Sequence, residues 1–147
     1  MNRFPPLLAK LFCAAILQFL LSSTSSAETL ADTHGLTWAQ CQQLNGKYPG
    51  DAAAEKILSV PLKSLLKKKY KEFDTNFTVQ TPIEIADDVL LSSGMRPQSG
   101  GDFASFAYFA KSGKLLVVIK RKEKLEYFGD KSLSTIPAVA KHLKQFS

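Results

Sequence analysis

Cysteine is nearly absent from this chain. It has two, Cys13 and Cys41, among 147 residues. Histidine is as scarce, with His34 and His142 alone, and no H-x-x-x-H or C-x-x-C spacing occurs. That argues against a structural or catalytic zinc site, which needs three or four clustered ligands. The sequence also lacks a G-x-S-x-G elbow and a glycine-rich phosphate cradle opening a helix, the signatures of two large hydrolase and nucleotide-binding classes. Nothing calls for a metal or a cofactor. Long apolar runs are missing too. The one candidate, Leu11 to Leu21, is too short to cross about 30 Å of hydrocarbon comfortably.

What is present begins with that segment. Arg3 and Lys10 precede it, and Ser25-Ser26-Ala27 follows it. A basic start, a short apolar middle and a small-residue exit read as a secretory signal over residues 1–27. Residues 28–147 are then expected to form a single domain in a periplasmic or secreted setting, with no stable membrane insertion after cleavage. The cleaved chain would hold 17 basic and 13 acidic residues, a surplus of four. That balance is mild for a polyanion binder, and export argues against nucleic acid as a partner. Cys41 would be the only thiol left. It is buried, reactive, or bridged to a second chain in a homodimer.

Periodicity divides the remainder into blocks. Thr37 can cap a short helix carrying Trp38, Cys41 and Leu44 on one face. Asp51 opens a second helical stretch, and Ser59 with Pro61 is expected to restart it. Leu62, Leu65, Leu66, Tyr70 and Phe73 then form an apolar stripe, with Lys63, Lys67, Lys68 and Lys71 largely off it. After Asp74 the period changes to two. Phe77–Gln80, Ile83–Ile85, Val89–Ser93, Phe103–Phe109, Leu115–Ile119 and Leu125–Phe128 read as strands, with a Gly113 hairpin turn. Ser134 is expected to start a last helix through Ile136, Val139, Ala140 and Leu143. The order predicts an α+β fold: an antiparallel meander of about five strands, with N-terminal helices and one C-terminal helix packed on one face.

No catalytic residue is assigned. A Cys41–His142 nucleophile lacks a third orienting group. Asp87-Asp88 reads as a turn, because neighbouring acids on a strand face opposite ways. The cluster Lys67, Lys68 and Lys71, with Lys120-Arg121-Lys122, is expected to be a solvated helix face plus a lysine-blunted edge strand. It could alternatively bind anionic lipid or polysaccharide.

One segment stands out. Gly94, Met95, Arg96, Pro97, Gln98, Ser99, Gly100, Gly101 and Asp102 join two strong strands through a loop long for a hairpin. Loops carried on a rigid sheet commonly hold binding groups. Here the chain, over about Leu62 to Tyr127, resembles the periplasmic inhibitors of vertebrate lysozyme (Ivy-like). In that family a C-K-P-H-D-C loop follows a strand ending in small residues. Arg96-Pro97 matches its Lys-Pro, and Phe103–Phe109 and Leu115–Ile119 match the two following strands. Met95 and Gly100 stand where the family has its two cysteines, and Gln98 stands where it has the histidine that enters the lysozyme cleft.

The resemblance implies a non-enzyme with a protein partner: a lysozyme or a rival's secreted effector, which would make this an immunity protein. Gly94, Met95, Arg96, Pro97, Gln98, Ser99 and Asp102 would form the inhibitory loop. The chemistry is coherent. A lysozyme-type cleft presents two carboxyl groups. Arg96 can pair bidentately with one, Gln98 can donate and accept, and Pro97 lowers the ordering cost on binding.

Overall fold

The computed structural model describes residues 36–146. The expected signal peptide and the leader to Gly35, including His34, lie outside the described residues. Among the described residues three helices come first: α1 (Trp38–Gln43), α2 (Ala52–Leu66) and, after a 3-10 turn at Lys67–Lys69, α3 (Tyr70–Asn76). Six strands follow among the described residues: β1 (Val79–Gln80), β2 (Glu84–Ala86), β3 (Val89–Met95), β4 (Phe103–Phe109), β5 (Lys114–Arg121) and β6 (Lys124–Gly129). A 3-10 turn (Lys131–Thr135) leads into α4 (Pro137–Lys144). No helix among the described residues is long and apolar enough to cross a membrane.

The sheet is antiparallel throughout, in the order β1-β3-β4-β5-β6, with β2 also paired to β3. The α+β class and the meander are as the period-two runs predict. Two tight turns set the registers of β2–β3 and β5–β6. Asp87 and Asp88 take φ of 53° and 61°, and Lys122 and Glu123 take 47° and 66°. Left-handed values at both central residues give the turn whose twist matches a two-residue hairpin. Asp87-Asp88 is therefore a turn, as expected. Lys120 and Arg121, by contrast, end a central strand flanked by β4 and β6 and do not blunt an edge.

The placement of the helices differs from expectation. They do not all lie on one face. Leu90, Ala104, Phe106, Tyr108, Val117 and Ile119 face α1–α3 in one buried cluster. Val89, Leu91, Phe103, Ala107, Leu116 and Val118 turn the other way, onto Leu133 and Val139 of the C-terminal segment. The sheet is sandwiched because β3–β5 are apolar on both sides. A continuous run such as Leu115–Ile119 belongs to a strand buried twice, not to an alternating one.

Two helix boundaries also move. Pro61 does not restart a helix. It lies inside the 15-residue α2, whose Ala54, Leu58, Leu62 and Leu66 are buried at spacings of four. Proline removes one backbone rung there, and the anchored residues on both sides hold the helix through it. Lys67 at φ 48° then ends α2, so the stripe from Leu62 to Phe73 runs over two helices. The last helix starts at Pro137 and not at Ser134. Proline at the first helical position fits. The amide of Ala138 donates to Asp87 Oδ2 at 3.0 Å, so a carboxylate from the β2–β3 turn serves as its cap.

Candidate functional site

The segment singled out between β3 and β4 is shorter than the sequence suggests. Gly94 and Met95 belong to β3, paired with Ala104 and Phe103. Gly94 is buried. A Cβ there would stand 2.8 Å from Phe77 Cα. It is thus the point where α3's end crosses the sheet closely, and it offers nothing to a partner. The loop proper runs from Arg96 to Asp102.

Its shape is fixed from within. The Arg96 amide donates to the Asp102 carbonyl at 3.1 Å. Ser99 Oγ donates to the Arg96 carbonyl at 2.7 Å and accepts from the Asp102 amide at 3.1 Å. Gln98, Gly100 and Gly101 take φ of 57°, 71° and 112°, which bends the tip back on itself. Asp102 is buried, and its Oδ1 accepts from the Lys122 amide at 2.9 Å, tying the loop to the β5–β6 turn. Phe103, the next residue, packs its ring 4.4 Å from that of Phe146, beyond α4. Hydrogen bonds and one ring contact thus brace a loop that has no cystine at Met95 and Gly100.

The predicted site residues consequently separate. Gly94 belongs to β3, and Ser99 and Asp102 build the loop. Arg96, Pro97 and Gln98 are exposed, and Met95 is 56% exposed at its base. Arg96 has no ion pair among the described residues. Sequence reasoning missed Val79, which pairs directly with Met95 across β1–β3 and is 53% exposed. The two make an apolar shoulder beside the loop. Only the register reveals it.

The two predicted surfaces also prove to be neighbours. Arg96 lines a groove of about 320 Å³ together with Lys68, Lys71 and Arg121. On its other side it lines a second groove with Phe103, Lys120 and Phe146. Lys67, which closes α2 at φ 48°, does not line the first groove.

The thiol reading fails on geometry. Cys41 is fully buried in the α1–α3 layer, where burial pushes its thiol pKa up. His142 sits on the opposite side of the sheet, its Nε2 2.9 Å from Ser105 Oγ. The pair cannot meet. A Cys41-bridged homodimer fails for the same reason, since a thiol with no exposed surface cannot reach a second chain. Among the described residues no cluster of three or more His, Cys, Asp or Glu could hold a metal.

Comparison with curated proteins and with solved structures finds no match. Comparison with protein families finds one, described as inhibitor of vertebrate lysozyme (Ivy), over residues 58–147. The match takes in α3, the whole sheet, the loop and α4. With more than half of its length matched, the chain belongs to the family of inhibitors of vertebrate lysozyme.

Proposed function

We propose that this protein acts outside the cytoplasm, after loss of residues 1–27, as an inhibitor that plugs the cleft of a lysozyme-type hydrolase with the Met95–Gln98 side of its loop. Family membership supports the inhibitor role. One observation supports the use of this loop: its backbone is held by internal hydrogen bonds while the Arg96, Pro97 and Gln98 side chains are left to solvent. A pre-shaped loop loses little freedom on docking, so more of its contact energy becomes affinity. Gln98 supports the reading from another side. A non-glycine residue held at positive φ is strained, and strain of this kind concentrates where a side chain must be aimed.

In the complex, Arg96 supplies a planar cation to a cleft carboxylate and Gln98 donates to, or accepts from, its neighbour. Met95 and Val79 give the apolar contact that excludes water around them. The target is a host lysozyme or a secreted cell-wall-degrading effector. The test is a clearing assay on peptidoglycan with a panel of lysozymes and muramidases. Arg96→Ala and Gln98→Gly should each weaken inhibition about tenfold or more with a melting temperature no lower than that of the wild type. Gln98→Gly is informative because glycine accepts the positive φ, so the fold is kept when the side chain is lost. A panel left untouched at micromolar protein ends this reading.

A further inference from the structure

The groove beside the loop carries positive charge that is mostly without an ion-pair partner among the described residues. Its cations come from three places in the chain: Lys68 and Lys71 from the 3-10 turn and α3, Arg96 from the loop, and Arg121 from the end of β5. The fold forces them together. Phe77, at the end of α3, sets its ring 5.9 Å from Phe106 of β4 and its backbone over Gly94 of β3, which fixes α3 on the sheet, and the Asp102–Lys122 bond draws the loop onto the β5–β6 turn beside Arg121. One acid, Glu72, lines the groove, and it is held at 2.9 Å by Lys69 and lies 4.0 Å from Arg121. Lys68, Lys71 and Arg96 meet no carboxylate within ion-pair distance among the described residues. The next flank is different, since Glu126 there takes both Lys69 and Lys124. The uncompensated charge is therefore local to the groove at the root of the loop.

We infer that this groove binds a carboxylate-rich segment on the rim of the hydrolase that the loop inhibits, and so selects neutral or acidic hydrolases over strongly basic ones. The inference rests on the proposed inhibitory loop. Arg96 belongs to both features, so a protein seated on the loop necessarily lies against the groove. Clustered cations of one sign raise the local concentration of acidic partners and speed their association, while repelling basic ones. The whole described body acts in the same sense, because residues 36–146 carry 17 lysines and arginines against 11 acids. The volume, about 320 Å³ and open, suits one or two acidic side chains entering between α3 and the loop.

The experiment has two arms. In the first, inhibition and association rate are measured for lysozyme-type hydrolases spanning basic to acidic net charge, at about 50 and about 300 mM salt. The wild type is compared with the charge-reversed triple variant Lys68→Glu, Lys71→Glu, Arg121→Glu. The wild type should favour acidic over basic enzymes by about tenfold at the lower salt. That preference should shrink at the higher salt and vanish in the triple variant. In the second arm, hexaglutamate is titrated against the protein, and its amide resonances should shift at Lys68, Lys71, Arg96 and Arg121. A charge preference that survives the triple reversal overturns the inference. So does a hexaglutamate titration that leaves those amides still, or binding of acidic polysaccharide or anionic vesicles in its place. If no hydrolase is inhibited while hexaglutamate seats in the groove, the inhibitory loop fails and the carboxylate site stands.

Discussion

Ser105 Oγ and His142 Nε2 stand 2.9 Å apart and join the central strand β4 to α4 across the second buried face. Ser105 Oγ also lies 3.1 Å from the Ser92 carbonyl, to which it donates. With that hydrogen committed to the carbonyl, the arrangement suits an Nε2–H donor on His142. Burial lowers the His142 pKa below its usual 6.5, against a smaller opposing pull from Glu84 and the Ser92 carbonyl.

Acidification should therefore loosen α4 in a defined window. A histidine with a depressed folded pKa takes up more protons when unfolded, so its contribution is complete above about pH 6.5 and is lost as pH falls below it. Urea unfolding at about pH 7.5 and about pH 5.5 should show lower stability at the acid value, and His142→Gln should flatten the difference. Asp130 and Glu126 have lowered pKa values, Asp130 to about 2. The lysine hydrogen bonds that lower them, from Lys114 and Lys69, are lost only in more acid solution, so the two effects separate on the pH axis.

Gly94→Ala should destabilise the fold. The new methyl group would meet the Phe77 backbone at 2.8 Å, and backbone cannot swing away as a side-chain tip can. Overpacking of this kind costs about 1–3 kcal/mol. Denaturant unfolding measures it. Any loss of inhibition should follow the loss of folded protein and nothing more.

Asp102→Ala should free the loop from the β5–β6 turn. It leaves the Lys122 amide without its acceptor at a partly buried site, a loss of about 1 kcal/mol. Hydrogen exchange at the Lys122 amide should accelerate. Asp102→Asn keeps an oxygen there and should restore most of the protection.

Glu123→Gly should be stabilising. Glu123 sits at φ 66° in the β5–β6 turn, where glycine carries no steric penalty. The contact it gives up, 3.1 Å from a Lys120 side chain that is only 17% exposed, is made by a Glu123 that is 79% exposed, so it offsets part of the gain. A gain of about 0.5–1 kcal/mol is expected by thermal or urea unfolding.

What the sequence discloses about this protein is what neighbours in the chain decide. β4 runs from Phe103 to Phe109, the bounds of its aromatic-rich run, and Thr37 caps α1 with Gln40 answering it in a capping box. Distant partners settle the rest. The start of α4 depends on Asp87, some fifty residues away, so no local signal at Ser134 or Pro137 could place its cap. Gly94 looks like a loop glycine until Phe77 is seen lying over it. Arg96, Lys68 and Arg121 are far apart in sequence, and only the sheet register and the seat of α3 bring them to one groove. The residues of the loop were legible as a loop. Their division into builders and presenters was not, because Ser99 and Asp102 have the same polar character as Gln98.

The way the Arg96–Asp102 turn is braced has a practical corollary. Each restraint in it is an amide, a hydroxyl, a carboxylate or a ring face. None can be opened by electron transfer, so the finger keeps its form in millimolar thiol reductant as well as in an oxidising medium, and reaching that form requires no oxidative folding catalyst.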